Sequence, residues 1–291
     1  MSPLLLMTYT LFAMLAFAGN SVLCRLALQD TSIDATSFTI FRLLGGTLML
    51  LILLSSRVET VFKKTNTAQY KQAAYLFLYA GAFSYAYILL GTASGALILF
   101  VTVQLTMLCM QYIQGHKATT IELVGLIVAL MSFIYWILPN AHRPDIIGTL
   151  LMAIAGVAWG FYTIAGKSSQ EPQLDTARNF MLSIVFVPLI LPIYLIGLDF
   201  KVTMNGLILA LASGAITSGL GYWIWYKVLP HYSSLSAGVM QLSVPIIAAL
   251  GGIIWNQENI SLSFILSSTG ILFGIFLVLY SNHSSKKMLQ P

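Results

Sequence analysis

The chain has 291 residues, of which 58% are hydrophobic and only 8% charged, against roughly 25% charged in soluble domains; its mean hydropathy is +0.87. That leaves too little polar surface for a soluble fold of this size, and the composition points to an integral membrane protein whose first partner is the lipid bilayer, all-α because its apolar runs are too long and too unalternating for barrel strands. The net charge of +5 comes from basic residues scattered singly or in pairs between apolar runs, with no basic stripe, so no nucleic-acid partner is expected.

A helix that crosses a bilayer needs about 20 mostly apolar residues. Ten such runs fall at 3–24, 36–56, 72–90, 92–114, 121–139, 147–166, 179–198, 206–226, 233–255 and 262–282. In the first, Ala16-Phe17-Ala18 imitates a leader-peptide cleavage site, but no Lys or Arg precedes it and the apolar run continues through Val22-Leu23; it reads as a retained span. Tyr75 to Tyr112 contains no Asp, Glu, Lys or Arg. As one helix it would be about 57 Å long at 1.5 Å per residue, so two spans with a tight turn near Gly91 or Gly95 are expected. Cys24 and Cys109 lie in apolar stretches without a CxxC or metal pattern and read as small core residues.

Span seven carries Pro188 and Pro192, and span nine carries Pro245. Each removes a backbone donor and can kink its helix, which makes all three hinge candidates. Gly156 and Gly160 in span six form a small-xxx-small pattern suited to packing around a cavity, and Gly270 and Gly274 in span ten one suited to peripheral packing or a homodimer face.

With the amino terminus inside and ten spans, ten Lys and Arg fall inside, Arg25, Arg143 and Lys201 fall outside, and Arg42 lies within a span. The positive-inside bias therefore puts both termini in the cytoplasm. The chain also resembles itself at an offset of 141: Gly19-Asn20 falls on Gly160-Phe161, and Asp34 on Asp175. Five spans is an odd number, so the second copy enters the membrane from the opposite side. The expected architecture is two inverted five-helix repeats, residues 1–140 and 141–291, the arrangement of secondary transporters with a site near the midplane.

Ala158-Trp159-Gly160-Phe161-Tyr162 with its counterpart Phe17-Ala18-Gly19-Asn20-Ser21, Phe41-Arg42-Leu43, and Val244-Pro245-Ile246 followed by Glu258 resemble the drug/metabolite transporter superfamily, specifically its EamA branch of ten-span exporters. In the first half the Pro-then-Glu pair is replaced by Val103 and His116. The resemblance implies export of small metabolites, amino acids among them, without ATP. With the lack of an organelle-type presequence, it also implies a bacterial inner membrane.

An ionised Arg42 in the hydrocarbon costs about 2.5–3.5 kcal/mol on insertion scales, so it should face a cavity or a partner. It can anchor a substrate carboxylate or cavity carbonyls, or it can snorkel to the headgroups. Asn20, Gln104 and Gln241 are amides within spans, each either substrate contact or interhelical glue. Tyr79, Tyr85, Trp159, Tyr162, Tyr222 and Trp225 can line an apolar cavity, or form an interfacial belt where they fall at span ends.

Gly160 to Gly166-Lys167-Ser168 imitates a phosphate loop but has one residue too many and ends an apolar helix, so neither ATP nor any other cofactor is expected. His116, His142, His231 and His283 fall at or beyond span ends, which speaks against a metal site. Ser, His and carboxylate are not brought together at midplane depth, which speaks against an embedded hydrolase. All nine carboxylates lie outside span centres, leaving no intramembrane proton relay. The expected function is a carrier for small neutral or zwitterionic solutes. The alternatives are an exchanger of phosphorylated metabolites or nucleotide sugars, for which only Arg42 is an inward basic residue, and a structural or receptor protein.

Overall fold

The computed structural model describes residues 1–29, 32–62, 65–90, 92–115, 118–137, 145–190, 192, 200–256 and 262–288. Their regular structure is helical apart from one isolated antiparallel bridge between Ile33 and Val202. The helices are α1 (Pro3–Gln29), α2 (Ala35–Leu53), the single turn α3 (Val58–Val61), α4 (Thr67–Leu89), α5 (Thr92–Ile113), α6 (Thr120–Ile137), α7 (Ile146–Lys167), α8 (Pro172–Ser183), α9 (Met204–His231), α10 (Ser234–Met240), α11 (Ser243–Asn256) and α12 (Leu262–Met288). Gly91, His116, Lys117, His142, Arg143 and Glu258 lie outside the described residues.

Among the described residues five helices are long and apolar enough to cross a bilayer, namely Pro3–Leu28, Ala35–Leu53, Ile146–Lys167, Met204–His231 and Leu262–Ser281. Shorter apolar helices cover Ile98–Ile113, Thr120–Trp136 and Ser234–Ala248. The chain is a multi-pass membrane protein. The expected break in the stretch from Tyr75 to Tyr112 is present, with α4 ending at Leu89 and α5 beginning at Thr92; Gly95 is inside α5.

Several boundaries differ from the apolar runs, for local reasons. α4 starts at Thr67, five residues before the run. Asn66 accepts from the Gln69 backbone N–H at 2.9 Å while Gln69 Oε1 accepts from the Asn66 backbone at 3.1 Å, a reciprocal cap that a hydropathy pattern does not register. α8 starts at Pro172, seven residues before its run, with proline in the first turn where its missing N–H costs nothing. It then tightens into a 3₁₀ segment over Ile184–Leu189 around Pro188, whose ring is incompatible with an α-helical bond to Ile184. Pro188 and Pro192 are both exposed. The ninth run is broken rather than bent: α10 stops at Met240 and α11 resumes at Ser243. The buried Pro245 has no N–H to bond the Gln241 carbonyl, which instead accepts from Val244 N at 3.1 Å.

Helix α7 packs on α4 and α5, and α1 packs on α9 and α11. α2 lies along α9, α8 along α4, and α6 pairs with α12 at the periphery. At that last seam a Cβ on Gly125 would sit 2.7 Å from the Gly274 carbonyl oxygen. The Gly270–Gly274 face is therefore filled by α6 of the same chain and does not supply a dimer face. Cys24 is buried, but Cys109 is exposed, contrary to its reading as a core residue. α5 has no continuous polar face, so nothing in the sequence indicates that Cys109 turns outward.

Two polar junctions tie the ends of the bundle. At one end Asp34 N donates to Lys201 O at 2.9 Å and Thr203 N to Ser32 O at 2.9 Å, joining the α1–α2 connection to the segment before α9. At the other, Arg57 pairs with Glu171, Gln69 Nε2 donates to Asp175 Oδ1 at 3.0 Å, and Arg178 Nη2 donates to the Thr60 carbonyl at 2.6 Å. This second junction joins the α7–α8 connection to the segments around α3 and the start of α4.

Candidate functional site

Between these junctions lies a small cavity lined by Phe17, Asn20 and Ser21 of α1, Tyr79 and Phe83 of α4, Leu99, Phe100 and Val103 of α5, Trp159 of α7, Tyr222 of α9, Gln241 at the α10–α11 break, and Val244 of α11. It encloses about 30 Å³, room for roughly two waters at about 10–15 Å³ each. A metabolite enters only if the walls separate.

The walls are mainly aromatic. Phe17 meets Trp159, Tyr222 and Trp225 edge-on at 5.5, 5.6 and 5.7 Å. Trp159 lies 4.9 Å from Tyr79 and 4.8 Å from Tyr222. Contacts of this kind add about 0.5–1.5 kcal/mol each beyond area burial. The Trp159 indole N–H donates to Gln241 Oε1 at 2.6 Å, so the α10–α11 break is tied to α7 through the cavity wall.

The amides act on the same break. Because α10 ends early, the Gln241 N–H bonds Gly238 O at 2.9 Å and the Ala237 carbonyl loses its helical donor. Gln241 Nε2 takes that place at 3.1 Å. Gln104 Nε2 donates to Gly238 O at 2.5 Å, while its Oε1 has no partner among the described residues. Gln241 thus satisfies the Ala237 carbonyl that an uninterrupted helix would satisfy itself, and Gln104 adds a second hydrogen bond to Gly238 O from another helix.

Arg42 stands behind this wall, 1% exposed, so it does not snorkel to the membrane surface. Its Nε donates to Ser218 Oγ at 3.0 Å, and its Nη2 to Tyr222 Oη at 3.0 Å and Tyr79 Oη at 3.5 Å. The guanidinium carbon lies 5.2 Å from the Tyr79 ring centre and 5.6 Å from that of Phe83. Nη1 is buried without a partner among the described residues. This placement depends on a π-helical segment in α9, Ser213–Leu220, a form often found at functional sites. There Gly214 lies against the Arg42 backbone, where a Cβ would collide with the Arg42 carbonyl. Ser213 Oγ donates to Asn20 Oδ1 at 2.8 Å, and Ser218 Oγ lies 3.5 Å from the same oxygen. A polar string therefore runs from Asn20 through Ser218 to Arg42 and the two tyrosines.

Of the residues expected from sequence, Asn20, Tyr79, Trp159, Tyr222 and Gln241 line the cavity, and Arg42 backs it. Gln104, Tyr162 and Trp225 are buried beside it without lining it; Tyr162 packs edge-on against Tyr226 at 5.3 Å. Tyr85 is elsewhere, with its hydroxyl bonded to Thr36 in the first turn of α2. Phe17, Phe83 and Ser218 join the site without being expected there from sequence. Phe17 precedes Asn20 by three positions and Ser218 precedes Tyr222 by four, spacings that put each pair on one helix face. Among the described residues no three His, Cys, Asp or Glu side chains come together.

Residues 146–280 match the EamA-like transporter family. The chain is 42% identical over 270 residues to an uncharacterized protein of Pseudomonas aeruginosa, covering 93% of each. The chain belongs to the EamA-like transporter family. The chain is also 26% identical over 288 residues to the uncharacterized transporter YwfM of Bacillus subtilis, covering 93% of each. An uncharacterized transporter of Archaeoglobus fulgidus is 26% identical over 166 residues, 56% of this chain and 59% of that one. A crystal structure with 17% identity superimposes with a TM-score of 0.75 over 94% of this EamA-like transporter and 98% of the other chain, a likeness of fold alone. The protein is thus a transporter of the drug/metabolite transporter superfamily.

Proposed function

We propose that this transporter exports small metabolites, amino acids or similar neutral or zwitterionic solutes, by alternating access. In this reading it crosses a bacterial inner membrane ten times as two inverted five-helix halves, residues 1–140 and 141–291, with both termini in the cytoplasm. The observation that carries the reading is the cavity itself, walled by Phe17, Asn20, Tyr79 and Val103 from one half and by Trp159, Tyr222, Gln241 and Val244 from the other.

The packing supports the inversion. α7 packs on α4 and α5 as α1 packs on α9 and α11, so the first helix of each half meets the third and fourth passages of the other. The two junctions are related in a similar way: Asp34 ties to the segment before α9, and Asp175 ties to Gln69 in the first turn of α4. In a carrier, opening one side breaks one junction while the other holds. A lone guanidinium beside an aromatic cavity suits a monoanionic or zwitterionic solute better than a dianionic phosphate ester. Counterflow of radiolabelled amino acids in proteoliposomes tests the function. Exchange above that of empty liposomes supports it; none across a broad panel, with the protein shown to be folded, refutes it.

A further inference from the structure

Arg42 is a buried cation to which no carboxylate is bonded among the described residues. Of its five N–H donors, those of Nε and Nη2 meet one serine and two tyrosine hydroxyls, and Nη1 meets nothing among the described residues. The described carboxylates stand at helix starts and connections. Asp34 and Asp145 cap α2 and α7, Glu59 and Glu122 lie in the first turns of α3 and α6, and Glu171 and Asp175 begin α8. Hydroxyls and ring faces only partly replace the water and counter-ion that such a charge has lost.

Resting on the transport reading above, we infer that the solute itself supplies the missing anion: it is held by its carboxylate at Arg42, and an amino group is dispensable. A carboxylate matches the planar fork of a guanidinium. Nη1 offers unused donors, and the 3.5 Å bond to Tyr79 is the longest of the three and the one the carboxylate displaces. Among the described residues the rest of the cavity has no carboxylate to receive an ammonium group, and the charge of Arg42 repels one. Phe17, Trp159, Tyr222 and Phe100 offer an aromatic lining for an apolar body. The ligand class is a monocarboxylate with an apolar, ring-sized body, to which amino acids with apolar side chains belong as one subset.

The test compares 3-phenylpropionate, phenylalanine, phenethylamine and phenyl phosphate as ligands of the purified full-length protein, read by quenching of tryptophan fluorescence and by thermal stabilisation. Phenylpropionate and phenylalanine are expected to bind with dissociation constants within about threefold of each other, phenethylamine and phenyl phosphate much more weakly. Loss of charge-assisted hydrogen bonds in Arg42→Gln weakens both carboxylates by about 10- to 150-fold, and Arg42→Lys restores part of the loss. Binding of phenethylamine in preference to phenylpropionate, binding of phenyl phosphate in preference to both carboxylates, or no binding of either carboxylate to the wild type, overturns the assignment. Because the four ligands are compared on the unmutated protein, that outcome does not depend on whether the variants fold. If no amino acid is transported in liposomes but phenylpropionate still binds, the transport reading fails and the carboxylate site stands. If phenylalanine is transported and only phenethylamine competes, the reverse holds.

Discussion

Removing the hydrogen bond between Trp159 and Gln241 should reveal how firmly the broken ninth passage is held to α7. The donor and acceptor are 2.6 Å apart and their residues are 5% and 2% exposed. Gln241→Leu leaves the indole N–H unbonded and also frees the Ala237 carbonyl that Gln241 Nε2 serves. Orphaning a buried polar group costs about 1–3 kcal/mol, but a cavity with room for about two waters can hydrate the indole in part, so the lower half of that range is expected. Trp159→Phe keeps a ring against Phe17, Tyr79 and Tyr222 and loses the donor, at a similar cost. The double variant removes both partners and should cost less than the two singles together. Side-chain hydrogen bonds between membrane helices average about 0.6 kcal/mol and reach about 1.7. For a short, buried bond the expected coupling is about 1 kcal/mol, roughly fivefold in the unfolding equilibrium. Reversible unfolding in mixed micelles with increasing dodecyl sulfate, followed by circular dichroism because two of the variants lack Trp159, measures all four proteins on one scale. Additivity within about 0.3 kcal/mol, the ordinary scatter between independent sites, would refute the reasoning and show that the indole gains as much from water as from Gln241.

Three further outcomes follow from the geometry. Gly125→Leu drives a side chain into the Gly274 carbonyl across the α6–α12 seam and should cost about 1–3 kcal/mol, read as a lower melting temperature in detergent; an unchanged value contradicts the close approach. Arg57 and Glu171 are half exposed, so reversing either charge should change stability by no more than about 1 kcal/mol. Yet each single reversal should speed alkylation of a cysteine placed at Gln72, and the double reversal should slow it again. Equal labelling in all three denies this pair a part in closing that end of the bundle. Reporters fused to either terminus should both be active in the cytoplasm, and an exterior carboxyl terminus would contradict an even number of crossings.

Sequence and tertiary structure divide the information unevenly. Composition alone determines a membrane-embedded protein, because with so few charged residues the chain cannot cover a soluble core, and the length of its apolar runs makes them helices rather than barrel strands. Residue type alone singles out Arg42, Asn20, Trp159, Tyr222 and Gln241, since charges, amides and tyrosine or tryptophan within an apolar run need partners. Which way these side chains point is another matter. A helix without a continuous polar face has little to orient it, so α5 gives no hint that Cys109 turns outward, and Tyr85 looks like Tyr79 until Thr36 is found beside it. The π segment of α9 and the break between α10 and α11 are likewise settled only by packing. Small residues permit the first; at the second, Gln241 satisfies the freed Ala237 carbonyl and Gln104, brought in from α5, adds a bond to Gly238 O. Helices are written in local sequence, but a site made where six of them meet depends on rotations that only their mutual packing can set.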